Sequence, residues 1–431
     1  MVILQHRQAT NGSRVSKSTQ QVSEIAKVCN KYKIPMIPYS GGSSLEANFS
    51  APYGGISIDF AHMDKVIEVR PDDLDVTVQP AVGWMSLNEQ IRETGLFFPV
   101  DPGPTAMIGG MVGTSCSGTN AVRYGTMRDW IINLTVVLVD GTVIKAKRRP
   151  RKTAAGYNLN HLFVGSEGTL GIVTEVTLKL TPIPQQTSVA VVTFPTIADA
   201  ASTAQKVIRA GIPVGAMEIM DEVSMSVVNK VGRTKRQWDE RPSLFFKFVG
   251  TPTAVKEHAE QVKAIAKSQR SRSFETASNE VHAADLWSAR KENLWSMLSL
   301  RRPDSGDCVW PTDYAVPISR LPDLIAGSKS SLEKNAIFAT CLGHIGDGNF
   351  HETILYDASD PAIKKAVVEH VKRVTAMAIE MEGTSTGEHG IGMSKKDDLV
   401  EELGEETVDV MRKIKKALDP DGLMNPGKIF D

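Results

Sequence analysis

Cysteine is scarce and scattered in this chain. Cys29, Cys116, Cys308 and Cys341 are the only four in 431 residues, and no two stand at a spacing that suits a zinc ribbon or a disulfide framework. A reduced, intracellular compartment is the simpler expectation. Charge of one sign is also lacking: formal net charge is -1, which removes the electrostatic footprint of a nucleic-acid binder and points to a small ligand. The basic run Lys145-Ala146-Lys147-Arg148-Arg149-Pro150-Arg151-Lys152 reads as a solvated loop. No apolar stretch approaches the roughly 20 residues that span a bilayer, and the N-terminus has no secretory apolar region. The first 23 residues contain Arg7, Arg14 and Lys17 but no acidic residue. That composition suits an organelle transit segment or a frayed start. Finally, no G-x-G-x-x-G opens a helix with an acidic residue trailing it, so a Rossmann domain is disfavoured.

What the chain does have is glycine concentrated around chemistry. In His344-Ile345-Gly346-Asp347-Gly348-Asn349-Phe350-His351 the Asp-Gly pair is a favoured two-residue hairpin turn, which places His344 directly across from His351. Opposed side chains have Cβ atoms roughly 5 Å apart. Two imidazoles so placed can share a divalent metal, and the segment Gly383 to Gly392 offers a carboxylate, Glu388, beside another imidazole, His389. Two histidines and one carboxylate leave coordination positions open, as a catalytic centre requires.

A chain of this length is expected to form two domains. In the first block a helix from Thr19 to Tyr32 feeds a short strand, Ile34 to Pro38, and then the loop Ser40-Gly41-Gly42-Ser43-Ser44. Such a loop can turn several backbone N–H groups and hydroxyls toward a phosphate. Strands at Ile56–Asp59, Val76–Gln79 and Leu134–Val139 and a helix from Ser86 to Glu93 follow the expected patterning. Between them Ile108 to Gly118 repeats small residues so densely that something bulky is expected against its backbone. A third cluster runs from Phe163 to Val173. Three such loops in one block imply one large ligand. The second block alternates strands (Ser188–Phe194, Leu244–Val249) with helices (Ala198–Ala210, Ala254–Ser268) in an α+β layout. The stretch Glu401 to Leu418 reads as one amphipathic helix without chemistry.

The three clusters, in this order and spacing, resemble the FAD-binding domain of the vanillyl-alcohol oxidase and p-cresol methylhydroxylase superfamily. The second block resembles the C-terminal cap of flavin-linked 2-hydroxy acid dehydrogenases, including His344 to His351, Gly387 to Gly392 and Asn425-Pro426-Gly427-Lys428-Ile429. The resemblance implies a two-domain α+β flavoprotein: a PCMH-type FAD-binding domain over 15–182 and a substrate or cap domain with an antiparallel sheet over 183–431. Ser40, Gly41, Gly42, Ser43 and Ser44 would hold the pyrophosphate. Pro102, Gly103, Thr105, Gly109, Gly110, Gly113, Thr114, Ser115 and Gly118 would line the flavin, and Glu167, Gly168, Thr169, Gly171, Ile172, Val173 and Asn425 would complete the site. No histidine stands in the Ser40 to Asn48 loop to attach the flavin, so the FAD is expected to be non-covalent.

Within the superfamily the chain resembles the fungal and animal D-lactate dehydrogenases, which pass electrons to cytochrome c in mitochondria or to a related acceptor. That likeness implies His344, His351 and Glu388 as ligands of a divalent metal such as Zn²⁺ or Mn²⁺, and His389 as general base. It implies Arg290 as the cation for the substrate carboxylate, and flavin N5 as hydride acceptor. Relatives acting on D-2-hydroxyglutarate carry a lysine before the Tyr-Asp motif, where Pro311 stands here. A buried second carboxylate without a partner costs several kcal/mol, so D-lactate or a small D-2-hydroxy acid is expected over a diacid. Family members carry a first flavin-domain strand ahead of the Thr19 helix, and the short polar stretch here is expected to lack it. D-2-hydroxyglutarate oxidation, a truncated and catalytically silent flavoprotein fold, and the alkyl-transferring branch of the superfamily are the alternatives.

Overall fold

The computed structural model describes residues 12–430. They form two compact units: the first comprises 12–118, Tyr124–Ile183 and 388–430, the second Thr119–Arg123 and Pro184–Gly387. The α+β expectation holds, and the first unit is no Rossmann fold. It contains a three-stranded parallel sheet, ordered Gly12–Val15, Ile56–Asp59, Met36–Tyr39, and a five-stranded antiparallel sheet, ordered Val66–Arg70, Asp75–Val78, Ile172–Lys179, Ile131–Val137, Val143–Lys145.

The helix Thr19–Tyr32 begins where the Ser18 hydroxyl accepts from the Gln21 N–H, and ends at Lys33 in the left-handed region. Its buried Val22, Ala26 and Cys29 recur at helical spacing and pack with Met36, Ile58, Val137 and Ile172. This stripe joins two strands of each sheet.

Two sequence expectations are corrected here, on the polar stretch before Thr19 and on the helix from Glu401. The first contains a strand after all, since Gly12–Val15 pairs in parallel with Ile56–Asp59; Arg7 lies outside the described residues. The expected second block, 183–431, is divided between the two compact units. From Glu388 onward the chain belongs to the first unit, where the Met36 N–H donates to the Leu423 carbonyl and the Asn425 N–H to the Met36 carbonyl, each at 2.8 Å. Hydrophobic periodicity reports which face is buried and not against what, so this return was invisible in the pattern. The expected single helix from Glu401 to Leu418 is broken at Gly404 (φ +79°) into Lys396–Leu403 and Glu405–Leu418.

The second unit is built on one antiparallel sheet. Its order is Ser273–Thr276, Gln186–Thr193, Ser243–Gly250, Val214–Met220, Ala339–Gly343, Asn349–Asp357, Asp307–Pro311, with Tyr314–Ala315 pairing against the start of Asn349–Asp357. Because strand side chains alternate, the sheet has two dry faces. One packs Val192, Ile219, Phe246 and Phe248 against the helices Ile197–Arg209, Pro252–Ser268, Leu321–Lys334 and Pro361–Glu380. The other packs Val191, Met220, Phe245 and Leu342 against Glu222–Val231 and Glu280–Ser299. Glu218 pairs across the ladder with Phe245. It therefore stands on the second face, fully buried in a strand whose other residues are all buried too.

Candidate active site

A carboxylate buried in an apolar strand persists only with partners. Glu218 has two. One oxygen accepts from Arg290 Nε at 2.8 Å, and the other contacts His344 Nδ1 at 2.8 Å. Arg290 reaches it from the helix Glu280–Ser299, where Leu286 and Ala289 pack onto the same sheet face. Glu292 does not hold Arg290; it pairs with Arg233 instead. Among the described residues Arg290 makes no other hydrogen bond, which leaves its two terminal nitrogens with geometry suited to a carboxylate.

His344 and His351 do meet, with ring centroids 5.6 Å apart and planes at 89°, but not through the expected turn. The loop is longer than the Asp-Gly dipeptide: Ile345–Asp347 forms a turn of 3-10 helix, closed by Gly348 at φ +78°. The register sets His351 opposite Leu342, so His344 is its diagonal neighbour on the same face. An added Cβ at Gly348 would lie 2.2 Å from the Val316 carbonyl oxygen, which is why glycine stands there.

The hydrogen bonds assign the imidazoles. His351 Nδ1 lies 2.9 Å from the Thr312 carbonyl oxygen, which can only accept, so Nδ1 carries the proton. His344 Nδ1 faces the Glu218 carboxylate for the same result. In both rings Nε2 is then the basic nitrogen, the state a metal ligand requires, with the outer carboxylate and carbonyl orienting each ring. Asp313, fully buried, has Oδ1 at 3.6 Å from His351 Nδ1 and accepts from Asn349 Nδ2 at 2.9 Å. Sequence reasoning passed over Glu218 and Asp313. A lone acid inside the apolar run Val214-Gly215-Ala216-Met217-Glu218-Ile219-Met220 was the available signal for the first.

In the first unit the loop after Met36–Tyr39 has the features of an anion cradle. The N–H groups of Gly41, Gly42, Ser43, Ser44 and Leu45 donate to no acceptor among the described residues, and the buried Ser44 hydroxyl has no partner. Ser40 is committed to the Pro80 carbonyl at 2.9 Å. The bulk expected against the small residues is in part the chain itself. An added Cβ would come within 2.8 Å of Thr105 at Gly41, and within 2.5 Å of Pro80 at Gly109 and of Asp101 at Gly118. Gly103 and Gly110, in contrast, border open space. Pro102, Thr105, Gly113, Thr114 and Ser115 lie on the same stretch, Ile108–Thr114 being a short helix.

The Glu167 side chain is bonded within the protein. Its buried carboxylate accepts from Asn48 Nδ2 at 2.5 Å, from the Ile391 N–H at 2.7 Å and from the Gly392 N–H at 2.9 Å. Asn425 likewise donates to the Asn48 and Glu167 carbonyls at 2.8 and 2.6 Å. Together they pin the segment that carries Glu388 and His389. In the same segment Glu388 accepts from the Ser117 hydroxyl at 2.7 Å. Gly168, Thr169, Gly171, Ile172 and Val173 continue from Glu167 into the strand Ile172–Lys179, where Gly168 abuts Pro38 and Gly171 abuts Val136.

Two outcomes follow. Nitrogen-15 NMR of histidine-labelled protein should find His344 and His351 protonated at Nδ1, and an Nε2–H form of either neutral ring would contradict the assignment. Burial pushes the Glu167 carboxyl from 4.5 up to about 7, against the opposing bonds from Ile391, Asn48 and Gly392. A raised value means the folded state holds the proton more tightly, so this stability is present below pH 4.5 and is lost as pH rises toward 7. Melting temperature should fall across that window in the native protein and fall less in Glu167→Gln; equal slopes would contradict it.

Comparison with known proteins agrees with this geometry. Residues 14–147 match the family described as FAD binding domain, and residues 183–429 match FAD linked oxidases, C-terminal domain. The mitochondrial D-lactate dehydrogenase [cytochrome] of Kluyveromyces lactis is 47% identical over 421 residues, 96% of this chain and 72% of that protein. D-lactate dehydrogenase [cytochrome] 1, mitochondrial, of Saccharomyces cerevisiae is 46% identical, with 96% and 71% covered. Among solved structures, p-cresol methylhydroxylase with substrate bound superposes with a TM-score of 0.78 at 18% identity, over 97% of this chain and 88% of that one, and shares the fold. The chain belongs to the FAD-linked oxidases, with both the FAD-binding domain and the C-terminal domain of that family.

Proposed function

We propose that this protein is an FAD-dependent dehydrogenase that oxidises D-lactate, or a small D-2-hydroxy monocarboxylate, to the 2-oxo acid. Cytochrome c would take the electrons and the mitochondrion would be the compartment. The observation that carries the reading is the line Arg290–Glu218–His344, which sets a carboxylate anchor and an Nε2-basic histidine on one buried carboxylate. High identity to proteins named for D-lactate supports the substrate.

In this reading Arg290 takes the substrate carboxylate on its terminal nitrogens, fixing C2 and its hydroxyl. His344, His351 and Glu388 would hold the cation, Zn²⁺ or Mn²⁺ suiting such a donor set equally. His389 accepts the hydroxyl proton, a task worth on the order of 10²- to 10⁴-fold. Flavin and cation supply, when bound, a hydride acceptor and the Lewis acidity that makes a hydroxyl proton easier to remove. The loop Gly41 to Leu45 would hold the pyrophosphate with its backbone N–H groups. Pro311, at the end of the edge strand Asp307–Pro311, offers no cation for a second carboxylate, so the monocarboxylate is preferred.

Anaerobic addition of D-lactate to the yellow protein should bleach the flavin band, with L-lactate and D-2-hydroxyglutarate far slower. His389→Ala or metal chelation should slow bleaching by roughly 10²-fold or more while leaving the flavin bound. Failure to take up FAD, or bleaching by the diacid in preference, would overturn the proposal.

A further inference from the structure

The basic run read as a solvated loop is only partly so. Arg149 pairs with Asp73 and Asp75 at 2.5 and 2.9 Å. Arg151 donates to the Asp73 and Leu74 carbonyls, and the Lys147 N–H donates to Asn133 Oδ1 at 2.8 Å. These bonds fold the run back over the end of the five-stranded sheet. There Lys147 and Arg151 join Arg128, Lys179 and His161 in lining a cleft of about 200 Å³.

Four permanent cations and an imidazole face one acid in that cleft. The acid, Asp129, is engaged in capping its own short helix through the Thr126 N–H at 2.9 Å. Among the described residues the side chains of Lys147, Arg128 and His161 form no hydrogen bond or ion pair with any protein group. Burial presses the Lys179 ammonium below its usual range, opposed by Asp129 and reinforced by Arg151 and Lys147, while its Nζ donates to the Asp129 backbone carbonyl. Cations held together without matching acids repel, and an anion relieves that repulsion.

A second feature narrows the anion. Asn160, 3% exposed, lines the same cleft. Its Nδ2 donates to the Ile132 carbonyl at 2.8 Å, which fixes the amide orientation because that oxygen can only accept. Its Oδ1 is left buried with no hydrogen-bond partner. A buried acceptor among cations calls for a donor on the ligand.

We propose that this cleft binds a small oxyanion carrying its own O–H donor, of the hydrogen phosphate or hydroxylated phosphate ester class. Its anionic oxygens pair with Lys147, Arg128, Arg151 and Lys179, and its hydroxyl donates to Asn160 Oδ1. None of these residues belongs to the candidate flavin loops. Sulfate has a similar shape and charge but no O–H at neutral pH, so it separates this arrangement from a merely basic surface.

The test is calorimetric titration of the FAD-loaded protein with phosphate, sulfate and glycerol 3-phosphate at matched ionic strength. Phosphate should bind saturably, with sulfate at least about tenfold weaker, as expected when one hydrogen bond to a buried polar group goes unmade. Tighter binding of glycerol 3-phosphate would assign the ester, and tighter binding of phosphate the free ion. In the Lys147→Ala, Arg128→Ala double variant, phosphate affinity should fall about tenfold or more while flavin reduction stays unchanged. Equal binding of sulfate and phosphate, or undiminished binding by the double variant, would overturn the proposal.

Discussion

The second unit is organised around the division of one carboxylate. Glu218 is fully buried, and a charge there is tolerable only because each oxygen has a partner that donates a proton. Those partners come from a helix, through Arg290, and from the end of a neighbouring strand, through His344. Neither the guanidinium nor the imidazole can shift without leaving Glu218 short of a bond in a dry environment. The fold thus fixes the distance and orientation between the group that would anchor substrate and the group that would hold metal. Such preorganisation is what a reaction needing a stationary C2 requires.

The first unit repeats the device with another acid. Glu167 collects Asn48 from the loop region and two backbone N–H groups from the C-terminal return. Here the consequence is topological. Residues that close the chain are held next to residues near its beginning, with Asn425 and the buried Lys428, which donates to the Ser50 carbonyl at 2.7 Å, reinforcing the join. Glu388 and His389 are carried on that return, so the chemistry assigned to them depends on a carboxylate 221 and 222 residues upstream of them in the sequence.

Much of this was legible from residues alone. The glycine-rich loops pointed to a large ligand, and the unsatisfied N–H groups from Gly41 to Leu45 agree with that reading. The convergence of His344 and His351 was also foreseen, though for the wrong reason: Asp-Gly invites a two-residue turn, and the chain instead uses a 3-10 turn that makes the two rings diagonal neighbours. The remainder was not legible because it depends on contacts distant in sequence. Periodicity could not say that 388–430 returns to the first unit. Motif position assigned Glu167 and Asn425 to the flavin site, but it could not show the bonds their side chains make within the protein.

Glu218 is placed to position His344, the histidine proposed to hold metal, through a carboxylate shared with Arg290. Titration of Mn²⁺ into native and Glu218→Gln protein tests it most directly, because the amide keeps the shape of the side chain but has only one acceptor oxygen and no charge. The claim predicts an affinity lower by about 10- to 100-fold in the variant, the usual cost of losing an outer partner of a metal ligand. Equal affinity in the two proteins would contradict it.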